Sequence, residues 1–235
     1  MDHEINLLGQ PIGFALPEWQ PRSRPDRRVL EGRFARLEPL DVARHAEDLW
    51  HAFAADVEGR SWTYMPFGPF GGQAAFAAFL ATMSQGDDPV YYSILDLASG
   101  RASGIASFMR VQPEHGVIEV GGIAFAPILQ RTPAATEAMF LMMAHAFDDL
   151  GYRRYEWKCD ALNAASRRAA SRLGFRYDGL FEQAVVYKGR NRDTAWFSIL
   201  DRDWPKVKRG FETWLLPENF DAEGRQRYGL AACRA

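Results

Sequence analysis

The run from Val117 to Asp160 constrains the fold more than any other stretch of the chain. VIEVGGIAFAP reads as a strand, LQRTPAATEA as a tight connection, MFLMMAHAFDDL as a helix and YRRYEWKCD as a second strand. Met139, Phe140, Leu141, Met142, Met143, Ala146 and Phe147 leave the helix hardly any polar face. A helix from Thr136 to Leu150, stopped by Gly151, must therefore be largely buried. Two strands joined through such a helix are expected to be parallel. In the second strand Tyr155, Trp157 and Cys159 share one face.

The connection LQRTPAATEA precedes a helix, where the first backbone N–H groups lack partners and attract anions. Phosphate-cradling connections usually contain glycine, and this one has none. Pro133 has no N–H to give, but its fixed φ suits the first helical turn and presets Ala134, Ala135 and Thr136. The small side chains of Ala134 and Ala135 permit close approach, Thr136 adds a hydroxyl and Arg131 adds charge. Taken alone, the segment reads rather as a proline-started helix with nothing bound.

The remaining chain supplies the framework. Residues 1–32 hold Pro11, Pro17, Pro21 and Pro25 and read as an extended arm with little regular structure. RFARLEPL reads as a strand, and Asp41 caps a helix whose Val42, Ala46, Leu49, Trp50 and Phe53 share a face. After the loop SWTYMPFGPFGG, a second helix places Phe76, Phe79, Leu80 and Met83 at helical spacing. VYYSILDL, ASGIASFMR and VIEVGGIAF form a three-strand antiparallel meander. AASRRAASRL reads as a short helix. FRYDGLFEQAVVYKG and TAWFSIL are then expected as two strands turned by GRNRD, before a final helix with Pro205 in its first turn. The expected organisation is an arm over 1–32, one domain over 33–204, and a C-terminal helix with an irregular tail over 205–235.

A formal net charge of −2 provides no overall basic field, so neither nucleic acid nor a membrane surface is an expected partner. Cys159 and Cys233, the only cysteines, show no disulfide framework or metal-ligand spacing, and no metal is expected. No run of about 18 apolar residues occurs, and the first residues lack a signal-like pattern, so a cytoplasmic protein is expected. The aromatic-rich arm and the Trp204–Trp214 helix are surfaces a second copy could cover, which makes a homodimer an expectation.

The element order, with Gln130-Arg131-Thr132-Pro133-Ala134-Ala135-Thr136, Asn163-x-x-Ser166 and Leu173-Gly174-Phe175, resembles the GNAT superfamily of acetyl-CoA-dependent N-acetyltransferases. The first segment stands where that family has a Q/R-x-x-G-x-G/A pyrophosphate loop, with Pro133 in place of a glycine. The closing YKGRNRDTAWFSILDRDWP is similar to the RimJ/RimL-like branch, which includes ribosomal-protein N-terminal acetyltransferases. The resemblance covers residues 33–204. It implies an α/β (α+β) GNAT fold, a mixed but mostly antiparallel twisted sheet of about seven strands with helices on both faces. It also implies transfer of an acetyl group from acetyl-CoA to a primary amine, either a protein N-terminus or a small molecule, in a ternary complex. A non-catalytic acyl-CoA-binding or interaction module of the same fold is the alternative.

For the cofactor, the resemblance singles out Ile123, Ala124, Phe125, Arg131, Thr132, Ala134, Ala135, Thr136, Asn163 and Ser166. Arg167 or Arg168 could add charge near its phosphates. Asn163 and Gly174 also read simply as the two ends of a helix. Glu119, eleven residues before Gln130, is the candidate base, as a glutamate is in some histone-acetylating members; an exposed strand carboxylate is the bland alternative. Gly121 and Gly122 fit a bulge or a close backbone approach. Ala170 occupies the place where many members carry an acidic tyrosine. Trp62, Tyr64, Phe67 and Phe70 are candidate acceptor-binding residues, or else a hydrophobic plug. Glu182 and Asp193 are acidic candidates for a cationic substrate, or partners of Arg190 and Arg192. A hydrolase built on Cys159 or Ser166 with His145 finds little support, because His145 lies in the apolar helix and no G-x-S-x-G occurs.

Overall fold

In the computed structural model, which describes residues 3–234, the arm is more structured than its prolines imply. A small antiparallel hairpin, β1 (His3–Ile5) with β2 (Pro11–Gly13), stands apart from the main sheet. Asn6 folds it, because Asn6 Oδ1 accepts the N–H groups of Leu8 and Gln10, each at 2.9 Å. The following residues are irregular and pinned to the body: Trp19 Nε1 donates to Glu114 O at 2.9 Å and the Tyr92 hydroxyl to Asp26 O at 2.7 Å. Then β3 (Leu30–Glu31) joins the edge of the main sheet.

The chain continues through β4 (Ala35–Pro39) into α1 (Val42–Ala54), capped as expected by Asp41, whose Oδ1 accepts the Arg44 N–H at 3.0 Å. α2 (Gln73–Met83) buries Phe76 and Leu80. The meander follows as β5 (Val90–Asp96), β6 (Arg101–Gln112) and β7 (Val117–Phe125). α3 (Pro133–Ala144) does not run straight to Leu150 but loosens into a π-helical turn at His145–Asp149. There His145 Nδ1 meets Asp149 Oδ2 at 2.9 Å and Arg28 Nη2 at 2.6 Å, so the arm and the turn share one polar knot. Next come β8 (Arg154–Asp160), α4 (Ala164–Leu173), β9 (Arg176–Tyr187), β10 (Arg190–Leu200), α5 (Trp204–Trp214) and the short α6 (Leu230–Cys233).

The main sheet has eight strands in the order β3-β4-β5-β6-β7-β8-β10-β9. Only β7 and β8 are parallel. The mixed, mostly antiparallel architecture is therefore as expected, with β3 as an added edge strand. α3 packs on one face with Leu37, Tyr92, Ile94, Phe108, Ile118 and Val120, and α1 and α2 cover Tyr91, Ile105 and Ala124 on the other. Each of the fully buried Met139, Met142 and Met143 contributes about 1.5–3 kcal/mol, and so the mostly apolar helix becomes the centre of the core.

Two further details differ from expectation. The β9–β10 turn is Lys188-Gly189 rather than GRNRD, because Arg190 to Asp193 belong to β10. A bulge opposite Asp193 absorbs the extra residues, with Asp193 Oδ1 accepting the Gln183 N–H at 2.8 Å. The tryptophans of α5 do not offer a surface to a partner either: Trp204 and Trp214 are buried in the chain's own core.

Candidate functional site

The parallel strands β7 and β8 pair from Val117↔Arg154 to Val120↔Trp157 and then part. From Gly121 onward β7 is held by β6 alone, and β8 by β10 alone. Backbone groups of Gly121–Phe125 on the edge facing β8 thus have no strand partner, a condition that costs stability unless water or a ligand fills it. A bulge sharpens the parting, since the β6–β7 register shifts between Ile105↔Ala124 and Ser107↔Gly121. Both glycine expectations hold here. Gly122 is left-handed at φ 58°, and a side chain on it would collide with the Tyr91 hydroxyl. Of the three residues expected to line the cofactor here, Ile123 and Phe125 are half-buried and Ala124 is buried.

At the mouth of this cleft stands the glycine-free connection. Arg131 takes the left-handed conformation at φ 63° that a glycine would adopt more easily. Thr132 is the N-cap of α3, and its Oγ1 accepts the Ala135 N–H at 3.1 Å. The Thr136 N–H bonds to Thr132 O at 3.4 Å, and the Thr136 hydroxyl accepts from Arg172 Nη1 at 3.1 Å. Of the three N–H groups expected to meet an anion, those of Ala135 and Thr136 are therefore already engaged. Among the described residues, the donors without a partner in this loop include Arg131 N–H and Ala134 N–H. Sequence reasoning missed Arg172, which brings α4 against the first turn of α3.

Asn163 and Ser166 do the work of a helix start. Asn163 Oδ1 accepts the Ser166 N–H at 3.0 Å, and Ser166 Oγ accepts Trp157 Nε1 at 3.0 Å. Gly174 ends α4 in the left-handed conformation. Arg167 and Arg168 are exposed, and Arg167 Nη1 donates to Ala161 O at 3.3 Å. Ala170 is fully buried, so no hydroxyl stands in the place where an acid would.

Glu119 is buried on the sheet face opposite α3, with a cation beside each carboxylate oxygen. Arg110 Nη1 donates to Oε1 at 2.7 Å, and Lys158 Nζ lies 2.7 Å from Oε2. Lys158 also meets Glu156 Oε2 at 2.8 Å and sits 3.8 Å from the centre of the Trp196 ring. Arg154 continues the line, with 2.6 Å bonds to Glu156 and to Asp178. An alternating ladder of charge therefore crosses β6 to β9 on this face. Its signal was readable in YRRYEWKCD, where Glu156, Lys158 and Asp160 alternate with the core residues Tyr155, Trp157 and Cys159.

The four aromatic candidates divide. Trp62 is buried against Phe53, Phe67, Phe70 and Phe76, with an edge-on contact to Phe70 at 5.3 Å between centroids. Trp62, Phe67 and Phe70 thus form the plug that packs α1 and α2. Tyr64 alone sends a polar group toward the cleft, donating to Leu162 O at 3.3 Å. Opposite it, the β9–β10 tip folds over: the Tyr187 hydroxyl donates to Asp160 Oδ2 at 2.8 Å and Lys188 Nζ to Trp62 O at 2.8 Å. Burial, then the bond to Asp160, pushes the Tyr187 phenol up to about 12. Tyr187 escaped the sequence reading because a hairpin tip gives no periodic signal, and Asp160, though in step with Glu156 and Lys158, gains its partner only from that distant tip.

Asp193 and Glu182 form no ion pair with Arg190 or Arg192 among the described residues. The backbone N–H of Gln183, with Asn191, holds Asp193 below the usual carboxylate range. Burial pushes the Cys159 thiol up, which disfavours the thiolate a nucleophile needs. Among the described residues no group of three His, Cys, Asp or Glu could hold a metal, and no helix is long and apolar enough to cross a membrane.

Residues 35–176 match the acetyltransferase (GNAT) domain family. A crystal structure of a GCN5-related N-acetyltransferase from Brucella melitensis is 47% identical, covers 93% of this chain and 99% of its own, and superposes with a TM-score of 0.91. A GNAT-family structure from Chromobacterium violaceum is 40% identical over 83% of this chain and 98% of its own, with a TM-score of 0.77. The uncharacterized N-acetyltransferase YnaD of Bacillus subtilis is 24% identical over 60% of this chain and 81% of its own length.

Proposed function

The chain belongs to the GNAT acetyltransferase family, and from that premise we propose that it moves the acetyl group of acetyl-CoA to a primary amine by direct transfer in a ternary complex. The observation that carries this reading is the parting of β7 and β8 after Val120↔Trp157, beside an α3 N-terminus with unpartnered N–H groups. Arg131 and Ala134 are the donors for the pyrophosphate, with the Arg131 side chain adding charge. The unpaired edge at Gly121–Phe125 takes the pantetheine arm and polarises the thioester carbonyl through backbone N–H groups.

Direct transfer fits the absence of an activated nucleophile at the cleft among the described residues, Cys159 being buried with a raised thiol pKa. The amine nitrogen attacks the thioester carbon, the C–S bond breaks, and the amine's surplus proton passes to water. The sulfur leaves as a thiolate, which needs no phenol at position 170 near neutral pH. Glu119 takes a narrower part than the base expected of it. Held by Arg110 and Lys158, it fixes the floor of the cleft and the position of Lys158, and an α-amine with a pKa of about 7.7–8.0 needs little help to lose its proton.

The acceptor is an amine of the protein N-terminal or small-molecule kind, in keeping with the RimJ/RimL-like closing segment. Crystals soaked with acetyl-CoA test the geometry. Pyrophosphate density against residues 131–134, with the acetyl group at the parting of β7 and β8, is the expected result; a cofactor lying elsewhere overturns the assignment.

A further inference from the structure

Three carboxylates are buried on the open face of β7 and β8 among the described residues: Glu119, Glu156 and Asp160. Glu119 is paired with Arg110 and Lys158, and Glu156 with Lys158 and Arg154. Asp160 has no cation within ion-pair distance among the described residues. Its partners are neutral: the Leu162 N–H at 2.8 Å on Oδ1 and the Tyr187 hydroxyl at 2.8 Å on Oδ2. Arg192, over the Tyr187 ring at 5.9 Å, spends its Nε on Thr194 Oγ1 at 3.2 Å, and Lys188 turns to Trp62 O. A buried carboxylate without a counter-charge is costly, and two neutral donors offset that cost only in part.

The position of this charge matters. Asp160 ends β8, three residues past Trp157 where pairing with β7 stops, so it stands at the open mouth of the cleft. Its side chain lies on the face opposite Cys159 and the α3 core. Tyr64 and Tyr187 border it, their hydroxyls directed to Leu162 O and to Asp160 itself.

We propose that Asp160 anchors the ammonium group of the acetyl acceptor, which takes the place of the Tyr187 hydroxyl on Oδ2, and that the acceptor is a primary amine on an apolar, aromatic-compatible stem lying beside Tyr64 and Tyr187. This rests on the acetyltransferase reading above and names the substrate class for the same site. An ammonium carries three donors and the charge that Asp160 lacks, and the flanking rings add cation–π attraction. Anchoring precedes chemistry: the held nitrogen loses a proton to solvent before its lone pair attacks.

The test uses phenethylamine and its uncharged isostere phenethyl alcohol, titrated calorimetrically at pH 7 into the full chain saturated with CoA, which has no acetyl group to give. The wild type is expected to bind the ammonium at least about tenfold more tightly than the alcohol, a comparison that needs no variant. Asp160→Asn, which keeps an acceptor for the Leu162 N–H, abolishes that preference, while Tyr187→Phe, which keeps the charge, preserves it. Equal binding of the two probes by the wild type, no binding of either, or a preference retained in Asp160→Asn overturns the assignment. Thiol release from acetyl-CoA is read separately. A preference kept in Asp160→Asn with thiol still released removes the anchor and leaves acetyl transfer standing; a preference lost in the variant, with no thiol released by the wild type, does the reverse.

Discussion

Lys158 Nζ lies 2.7 Å from Glu119 Oε2 and so ties β8 to β7 at the point where the two strands begin to separate. The same ammonium meets Glu156 at 2.8 Å and rests on the Trp196 ring, so one largely buried cation organises the floor of the cleft.

Removing the charge of Glu119 therefore acts first on stability. Glu119→Gln leaves Lys158 half-compensated in a buried setting, and about 3–5 kcal/mol is the usual cost of breaking such a pair, with Glu156 keeping the loss near the lower end. Chemical denaturation measures this. If Glu119 fixes the floor without exchanging protons, the acid limb of the pH–rate profile persists in the variant; its disappearance would restore the role of base.

Arg131 sits in the left-handed region, where an L side chain costs about 1 kcal/mol. Arg131→Gly is expected to move two readouts in opposite directions. Stability rises by up to about 1 kcal/mol, while affinity for acetyl-CoA falls about tenfold with the lost phosphate contact. Thermal unfolding and cofactor titration of one preparation check both.

Thr132 replaces a glycine-rich cradle with a side-chain cap. Thr132→Ala frees the Ala135 N–H and costs about 0.5–2 kcal/mol of stability, seen as a lower unfolding midpoint. The freed N–H becomes a further donor to phosphate, so bound acetyl-CoA recovers part of the loss.

Asp178 gives a pH signature. Burial alone pushes its carboxyl up, but hydrogen bonds from Ser198 and Arg154 and the charges of Arg154 and Arg176 hold it below its ordinary value of 3.8. A carboxylate depressed in the folded state contributes stability above its unfolded pKa and loses it as pH falls through the folded one. Wild type is therefore expected to exceed Asp178→Asn in stability at neutral pH, and the gap to close below about pH 4. Urea melts across pH 3–7 measure it.

The sequence makes the framework legible where one element imposes its own period. Asp41 capping α1, the largely buried α3 and the bulge at Gly121 and Gly122 all follow from local pattern, because each is fixed by backbone geometry within a few residues. What escapes is set by distant contacts. Arg28 of the arm meets His145 in the π-helical turn, and the mouth of the cleft is closed by the β9–β10 tip folding over Asp160 and Trp62. Glu119 shows the same limit from the other side: its place on the cleft face is readable, but its two ion pairs are not, because Arg110 and Lys158 come from neighbouring strands.

The most direct test of the central claim is release of free CoA thiol from acetyl-CoA by the full chain, followed with and without a panel of primary amines that includes alkylamines, amino acid amides and short peptides with free N-termini. Amine-dependent thiol release, with equimolar N-acetylated product by mass spectrometry, is the predicted result. Tight binding of acetyl-CoA with no thiol released above the solvent rate for any amine would contradict it.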